Sequence, residues 1–167
     1  MRVRLADASE RPAAVALLVG RWGDPIVVRS QTYAIDACDI FIAGDFEGLA
    51  AVSGRDRPIA ELVAIIAFSR HRGIGSALLR SIIDRLQGFE TLRLTTTNDN
   101  LEALRFYQRR GFRLQALRPG AVDAARAHKP TIAAVGEYGI PIRDELELTL
   151  RLHGAGTCQP RRPAGEA

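Results

Sequence analysis

An α/β fold with an antiparallel front half is what the sequence predicts, and three observations carry it. Residues 40–66 hold three short apolar runs, IFIA, GLAAVS and IAELVAII, separated by turn residues, the pattern of an antiparallel meander. Residues 59–118 then alternate strand, helix, strand, helix, strand. Near the end, DELELTLRL sets Leu146, Leu148, Leu150 and Leu152 at every second position with charged or polar neighbours between them, a final strand with one buried face.

Taken in order, VRLA (3–6) is a short strand. Ser9 or Asp7 can cap the helix that carries Val15, Leu17, Leu18 and Val19, with Pro12 tolerated in its first turn. In GRWGDPIVVRSQTYAIDA the periodicity breaks at Gly20, Gly23 and Pro25, so the stretch is either a partly ordered connection or a short second helix. The meander follows, turning tightly at 45–48 and again at GRDRP. GIGSALLRSIIDRLQG has apolar residues at 78, 79, 82, 83 and 86, a helical stripe that Gly88 can stop. TLRLTTT is rich in β-branched residues and forms a strand, NDNLEALRFYQRRG a helix ended by Gly111, and FRLQAL another strand. AVDAARAHK is a short helix ahead of Pro130, and TIAAVGEYGIP has no clear pattern.

With 167 residues, 47% of them hydrophobic, the chain can build one core and not two ordinary domains. Residues 1–152 are expected to form that domain, and 153–167, which have nothing to pack, a disordered tail. The formal net charge of +4 comes from bases interleaved with acids, an attraction for small anions rather than a nucleic-acid footprint; the Arg161–Arg162 pair has no aromatic residues around it. Cys38 and Cys158 stand far apart and share no ligand spacing with His71, His128 or His153, so neither a disulfide nor a metal site is expected. The N-terminal stretch lacks a signal-peptide pattern and no window is long and apolar enough to span a membrane, which points to a cytoplasmic protein.

Two motifs carry chemistry. RHRGIGSALL (70–79) puts arginines and glycines where a strand ends and a helix begins. With Gly73 and Gly75 leaving the backbone uncovered, the N–H groups of residues 72–76 and the positive end of the helix dipole can take a phosphate beside Arg70 or Arg72. An ordinary loop with a polar rim fits the same residues. In NDNLEALRFYQRRGF, Asn100, Ala103 and Tyr107 share one helix face, and the small Ala103 lets a ligand approach.

The two together resemble the acyl-CoA-binding core of the GNAT (GCN5-related N-acetyltransferase) superfamily: Arg70, Gly73 and Gly75 match its RxxGxG motif, and Asn100, Ala103, Tyr107, Gly111 and Phe112 its NxxAxxxYxxxGF signature. The resemblance spans roughly residues 3–152, is sharpest over 61–118, and at its end is similar to a bacterial branch of mostly unassigned substrate. It implies a central mixed, mostly antiparallel sheet of about seven strands flanked by helices. That sheet would splay open between the strand containing Ile65 and TLRLTTT to admit acetyl-CoA as acetyl donor. The pantetheine arm would bond the backbone near Ile65 and Ala67, and the phosphates the turn made by Arg70, Arg72, Gly73, Ile74, Gly75 and Ser76, with Asn100 and Ala103 alongside. The partners implied are acetyl-CoA and an amine acceptor, small molecule or protein; a homodimer through the last strands or helices is one assembly the resemblance allows, and a monomer that buries the apolar face of DELELTLRL in its own sheet is the other. A module of the same fold that binds acyl-CoA without turnover is the alternative.

By the same resemblance Tyr107 is the acid that protonates the departing CoA sulfur; its plain alternative is a core tyrosine. Glu61 matches the position of a general base in several relatives. Four residues before Ile65, it is expected on the same face about 13 Å back toward the acceptor, or else as a solvent-facing residue paired with Arg57. Asn98 and Asn100 can cap or brace the helix, Asp144 and Glu145 are an ordinary charged strand end or a greeting for a cationic acceptor, and Trp22, Tyr33 and Phe46 line the acceptor site or the core. Ala51 stands where many relatives have glycine at a bulge, and Lys129–Pro130 is expected to frame the acceptor pocket.

Overall fold

The computed structural model describes residues 1–69 and 72–152. Arg70 and His71 of the phosphate motif, and the tail with His153, Cys158, Arg161 and Arg162, lie outside the described residues.

Strand β1 (Val3–Leu5) leads into helix α1 (Arg11–Trp22). Of the two cap candidates it is Asp7 that acts: its Oδ1 accepts from the backbone N–H of Ser9 and of Glu10, at 2.8 and 3.0 Å, and from the Ser9 hydroxyl. Pro12 falls in the first turn, where its missing N–H breaks no bond. The helix buries Ala14 and Leu18, while Leu17, expected on the apolar stripe, is exposed.

The next segment is neither a loose connection nor a helix. It is a hairpin of β2 (Ile26–Val28) and β3 (Gln31–Tyr33), turned by Arg29 and Ser30 with φ of 52° and 59°. Two consecutive left-handed residues make the hairpin turn that matches strand twist, a role usually taken by Asn-Gly, so Arg-Ser gave no sequence signal for it.

The remaining elements are β4 (Asp39–Ala43), β5 (Gly48–Ser53), β6 (Ile59–Ala67), α2 (Ile74–Arg85), β7 (Thr91–Thr97), α3 (Leu101–Gln108), β8 (Arg113–Arg118), α4 (Ala121–His128) and β9 (Glu145–Arg151). Seven strands form one sheet in the order β1-β4-β5-β6-β7-β9-β8, antiparallel except for β6 beside β7, as expected. The hairpin is a separate two-stranded sheet.

Alternation along β4 and β5 sorts the core into two layers. Phe41, Ala50 and Val52 meet Leu78, Leu79 and Ile82 of α2 on one face, with Leu92, Leu94, Phe112 and Leu148. Ile40, Ile42 and Leu49 meet Ala14 and Leu18 of α1 and Ile35 on the other.

Two irregularities shape the site. Opposite β5, Ala51 pairs with Ala64 but Val52 pairs with Leu62, so Val63 is an extra residue in β6. Leu62 and Ile65 thus pack on the α2 side, and Val63, Ala64 and Ile66 on the α1 side. Further, the β6–β7 ladder runs only from Ile59–Thr91 to Leu62–Leu94, while β7 stays paired to β9 as far as Thr97–Glu145. Beyond Leu62 the sheet is open between β6 and β7. β9 is an interior strand, and its polar residues are not all in solvent: Glu145 and Glu147 are buried.

Candidate active site

The opening between β6 and β7 continues into a cleft of about 740 Å³. Ile65 and Ala67 line it from β6, Gly73, Ile74, Gly75 and Ser76 from the start of α2, and Asn100, Ala103 and Tyr107 from α3. Nine of the residues singled out in the sequence therefore share one cavity.

At the α2 end the geometry suits an anion. Gly73 is the N-cap, in the left-handed region at φ 74°, and no side chain caps the helix. Within the helix the hydrogen-bond ladder starts from Ala77 N to Gly73 O, which leaves the N–H groups of 74–76 ahead of it, at the positive end of the dipole. A Cβ on Gly73 would meet nothing within 4 Å, so glycine serves the backbone angle there, whereas a Cβ on Gly75 would lie 3.2 Å from the Phe106 ring. Gly75 thus lets α2 abut α3.

Charge at this turn comes from a residue the sequence reading passed over. Arg110 lines the cleft, donates to Ser76 Oγ and lies 3.7 Å from the Phe106 ring centroid. The signal was available: Phe106 and Arg110 are four apart in a stretch whose sequence reads as one helix up to Gly111, although α3 itself ends at Gln108. Arg105, which pairs with Glu102 at 3.6 Å, also lines the cleft. Arg72 does not; it turns away to Glu47 at 3.2 Å.

Tyr107 is 6% exposed, its ring held edge-on between Phe106 and Phe112. No hydrogen bond to its hydroxyl is formed among the described residues, and burial pushes the phenol well above its ordinary pKa. It is fixed by packing and stays protonated. Asn100 caps α3, its Oδ1 accepting from Ala103 N at 3.1 Å while the residue also lines the cleft. Asn98 is a brace: its Oδ1 accepts from the N–H groups of Arg143 and Asp144, and its Nδ2 donates to the Pro141 carbonyl.

Glu61 does not share the face of Ile65. Because Val63 shifts the register, Glu61 projects to the side opposite Leu62 and Ile65, where it is 2% exposed and does not line the cleft. Nor does it face solvent or meet Arg57, which stacks on Phe89. Its Oε2 accepts from Arg29 Nη2 and Arg93 Nε, each at 2.7 Å. Burial raises its pKa above the ordinary 4.5, with Arg93 and Arg29 opposing the rise and Glu147 adding to it. These partners leave no local sequence signal, because Arg29 comes from the β2–β3 hairpin, whose turn lacks glycine and asparagine.

Of the three aromatic candidates only Trp22 lines the cleft; Tyr33 is buried in the hairpin with its hydroxyl on Gln31, and Phe46 packs on the α1 side. Lys129 donates to the Trp22 carbonyl at 3.1 Å and so ties α4 to the end of α1. Asp144 caps α4 through the Gly120 N–H, and Glu145 accepts from the Arg29 N–H rather than greeting solvent. The Cys38 thiol is buried and pushed up to about 11, a poor nucleophile. Among the described residues no helix is long and apolar enough to cross a membrane, and no group of three His, Cys, Asp or Glu could hold a metal ion.

The model of the acetyltransferase (GNAT) family matches residues 11–112. The chain belongs to this family. It is 36% identical to the uncharacterized protein YdhI of Bacillus subtilis over 134 residues, 75% of this chain and 82% of that protein, and 36% identical to YxbD of the same organism over 137 residues, 78% and 86%. Among solved structures it is similar to a Bacillus subtilis acetyltransferase in complex with CoA, with TM-score 0.67 and 22% identity over 91% of this chain and 99% of that one. A GNAT acetyltransferase of Elizabethkingia anophelis with acetyl-CoA bound gives TM-score 0.68 and 19% identity over 90% and 97%. At these identities the structural likeness is one of GNAT fold.

Proposed function

We propose that this GNAT protein transfers the acetyl group of acetyl-CoA to an amine by direct attack. The observation that carries the reading is the continuity of one cleft from the uncapped start of α2, past the unpaired end of β6, to Tyr107. A long donor with phosphates at one end and a reactive thioester at the other matches that sequence of environments, and the neighbouring fold structures that hold CoA or acetyl-CoA support it.

In this reading the N–H groups at 74–76 and Arg110 hold the phosphates, and the β7-facing backbone of Ile65 and Ala67 holds the pantetheine arm. The acceptor ammonium first loses a proton to solvent. The neutral nitrogen then attacks the thioester carbonyl, the C–N bond forms as the C–S bond breaks, Glu61 takes the remaining surplus proton from nitrogen, and Tyr107 gives its proton to the departing sulfur. A phenol that burial keeps protonated is suited to giving, and a carboxylate of raised pKa to taking. The acceptor is a small-molecule or protein amine, and the exposed Leu114 and Leu117 on edge strand β8 are the face a homodimer would cover.

Calorimetric titration with acetyl-CoA, followed by CoA-thiol release across a broad amine panel, tests the reading. Saturable one-to-one binding with amine-dependent release is expected. Failure to bind any acyl-CoA overturns it, and binding without release for every amine leaves a regulatory module instead.

A further inference from the structure

The sheet face turned away from α2 and α3 is polar where it approaches the opening. Glu61 of β6 stands beside Arg93 of β7, Thr95 beside Glu147 of β9, and Glu145 beside Arg118 of β8. Arg29, at the tip of the β2–β3 hairpin, closes over them. Its Nη2 donates to Glu61 Oε2 at 2.7 Å and to the Tyr33 hydroxyl at 3.0 Å, its backbone N donates to Glu145 Oε2 at 3.1 Å, and its Nε lies 3.7 Å from Glu147 Oε2. Arg118 Nη2 donates to the same Glu147 oxygen at 2.8 Å.

Two properties of this cluster point to a ligand. Its hydrogen bonding does not close: among the described residues, the buried side-chain polar atoms without a partner are Arg29 Nε, Arg118 Nη1, Glu61 Oε1 and Thr95 Oγ1, and all four belong to it. Buried polar groups are nearly always paired, and unpaired ones on charged side chains are the costliest to leave. The side chains of Glu61 and Arg29 are only 3% and 7% exposed, so bulk solvent does not satisfy them. What completes the set is an oxygen anion accepting from two guanidinium N–H groups, together with an N–H group donating to a carboxylate oxygen. The second property is charge. Arg29, Arg93 and Arg118 already balance Glu61, Glu145 and Glu147, and Asp56 at the rim is matched by Arg55 at 3.4 Å. A ligand of single charge would leave that charge buried without a counterpart, whereas a zwitterion adds none.

We propose that this cluster binds the acceptor as an α-amino acid zwitterion, its carboxylate on Arg29 Nε and Arg118 Nη1 and its amine on Glu61 Oε1 and Thr95 Oγ1. The proposal rests on the acetyl-transfer reading and deepens it. Thr95 is the first β7 residue past the last β6–β7 pair, so an amine held between it and Glu61 faces the opening from the side opposite the donor cleft. The hairpin shares no ladder with the main sheet, and the acceptor enters when it lifts; Arg29 then closes on the carboxylate. Atoms and protons balance as in the transfer step above, giving an N-acetyl amino acid and CoA.

The test compares kcat/KM for α-amino acids with that for the decarboxylated amine and the carboxamide of the same side chain, in the intact protein and in Arg118→Met. Arg118 is one-third exposed, and retained acetyl-CoA affinity with an unshifted melting temperature confirms that the variant is folded. For the preferred side chain the amino acid is expected to exceed both analogues by about tenfold or more, as loss of a charged hydrogen-bond partner dictates, and Arg118→Met to bring the ratio close to one. Equal or better turnover of amines lacking the carboxylate, peptide N-termini included, overturns the proposal while acetyl transfer stands; so does a ratio that survives Arg118→Met. Absence of CoA release with every amine, from a protein that binds acetyl-CoA, brings down the transfer reading and this proposal with it.

Discussion

Glu61 and Ile65 lie four residues apart on β6 and face opposite sides of the sheet, because Val63 is an extra residue against β5. The inversion falls where β6 and β7 part company. In the proposed reading a donor lying along Ile65 and a base at Glu61 would therefore approach the opening from different sides, and the two substrates would not compete for one surface.

Tyr107→Phe removes one oxygen and keeps the ring between Phe106 and Phe112, so the fold and the cleft wall persist. If the phenol protonates the leaving sulfur, kcat falls by about 10²–10⁴, the usual worth of a general acid, while acetyl-CoA affinity stays within a few-fold. Steady-state kinetics alongside calorimetry checks both halves. Unchanged kcat would reduce Tyr107 to a core residue.

Glu61 should set the acidic limb of the pH–rate profile. Its ionised form is the active base, burial raises its pKa above 4.5, and the rate therefore climbs with pH at a midpoint above the ordinary glutamate value. The same shift acts on stability: the folded state holds the proton more tightly, so this group's contribution declines as pH rises from the unfolded pKa through the folded one and is constant beyond it. Glu61→Gln keeps an oxygen for Arg29 and Arg93 but does not titrate. The acidic limb should vanish, and its persistence in the variant would remove Glu61 from the base role.

Gly73 and Gly75 are separable. Valine at 73 has open space but must hold φ near 74°, a strain of about 1–3 kcal/mol for a non-glycine residue, and it puts a side chain over the proposed phosphate seat. Valine at 75 drives into the Phe106 ring and parts α2 from α3. Gly73→Val should weaken acetyl-CoA binding by about tenfold or more with a modest loss of melting temperature, since that strain acts whether or not ligand is present. Gly75→Val should lower the melting temperature more. Thermal melts set beside titrations distinguish the two.

How legible this protein is in its sequence depends on range. Elements fixed by local pattern, such as the α2 stripe, the β-branched β7 and the alternating leucines of β9, stand as read, and the paired motifs converge on one cleft. Arrangements set by register or by distant partners were not readable. Val63 opposes nothing in the sequence that marks it as a bulge, the Arg29–Ser30 turn lacks glycine or asparagine, and Glu145 and Glu147 look like solvent-facing alternation until Arg29 and Arg118 cover them. The donor side rests on short contiguous motifs. The buried charged cluster proposed as the acceptor site is assembled from β6, β7, β8, β9 and a hairpin distant from them in the chain.

Arg110 lines the cleft from the turn that follows α3. Its guanidinium lies over Phe106 and on Ser76 Oγ, beside the first turn of α2, and burial together with nearby Arg109 lowers its pKa. A cation held there is pre-positioned for a phosphate, and its attraction is screened because the site opens to solvent. Arg110→Gln should therefore weaken acetyl-CoA by about three- to tenfold at low ionic strength, the range of a partly exposed charged contact, with the gap to the parent protein narrowing as salt is added. Titrations at two salt concentrations decide it. A deficit independent of salt would mean that Arg110 serves the packing of Phe106 against Gly75, and that the phosphates are held by the α2 backbone.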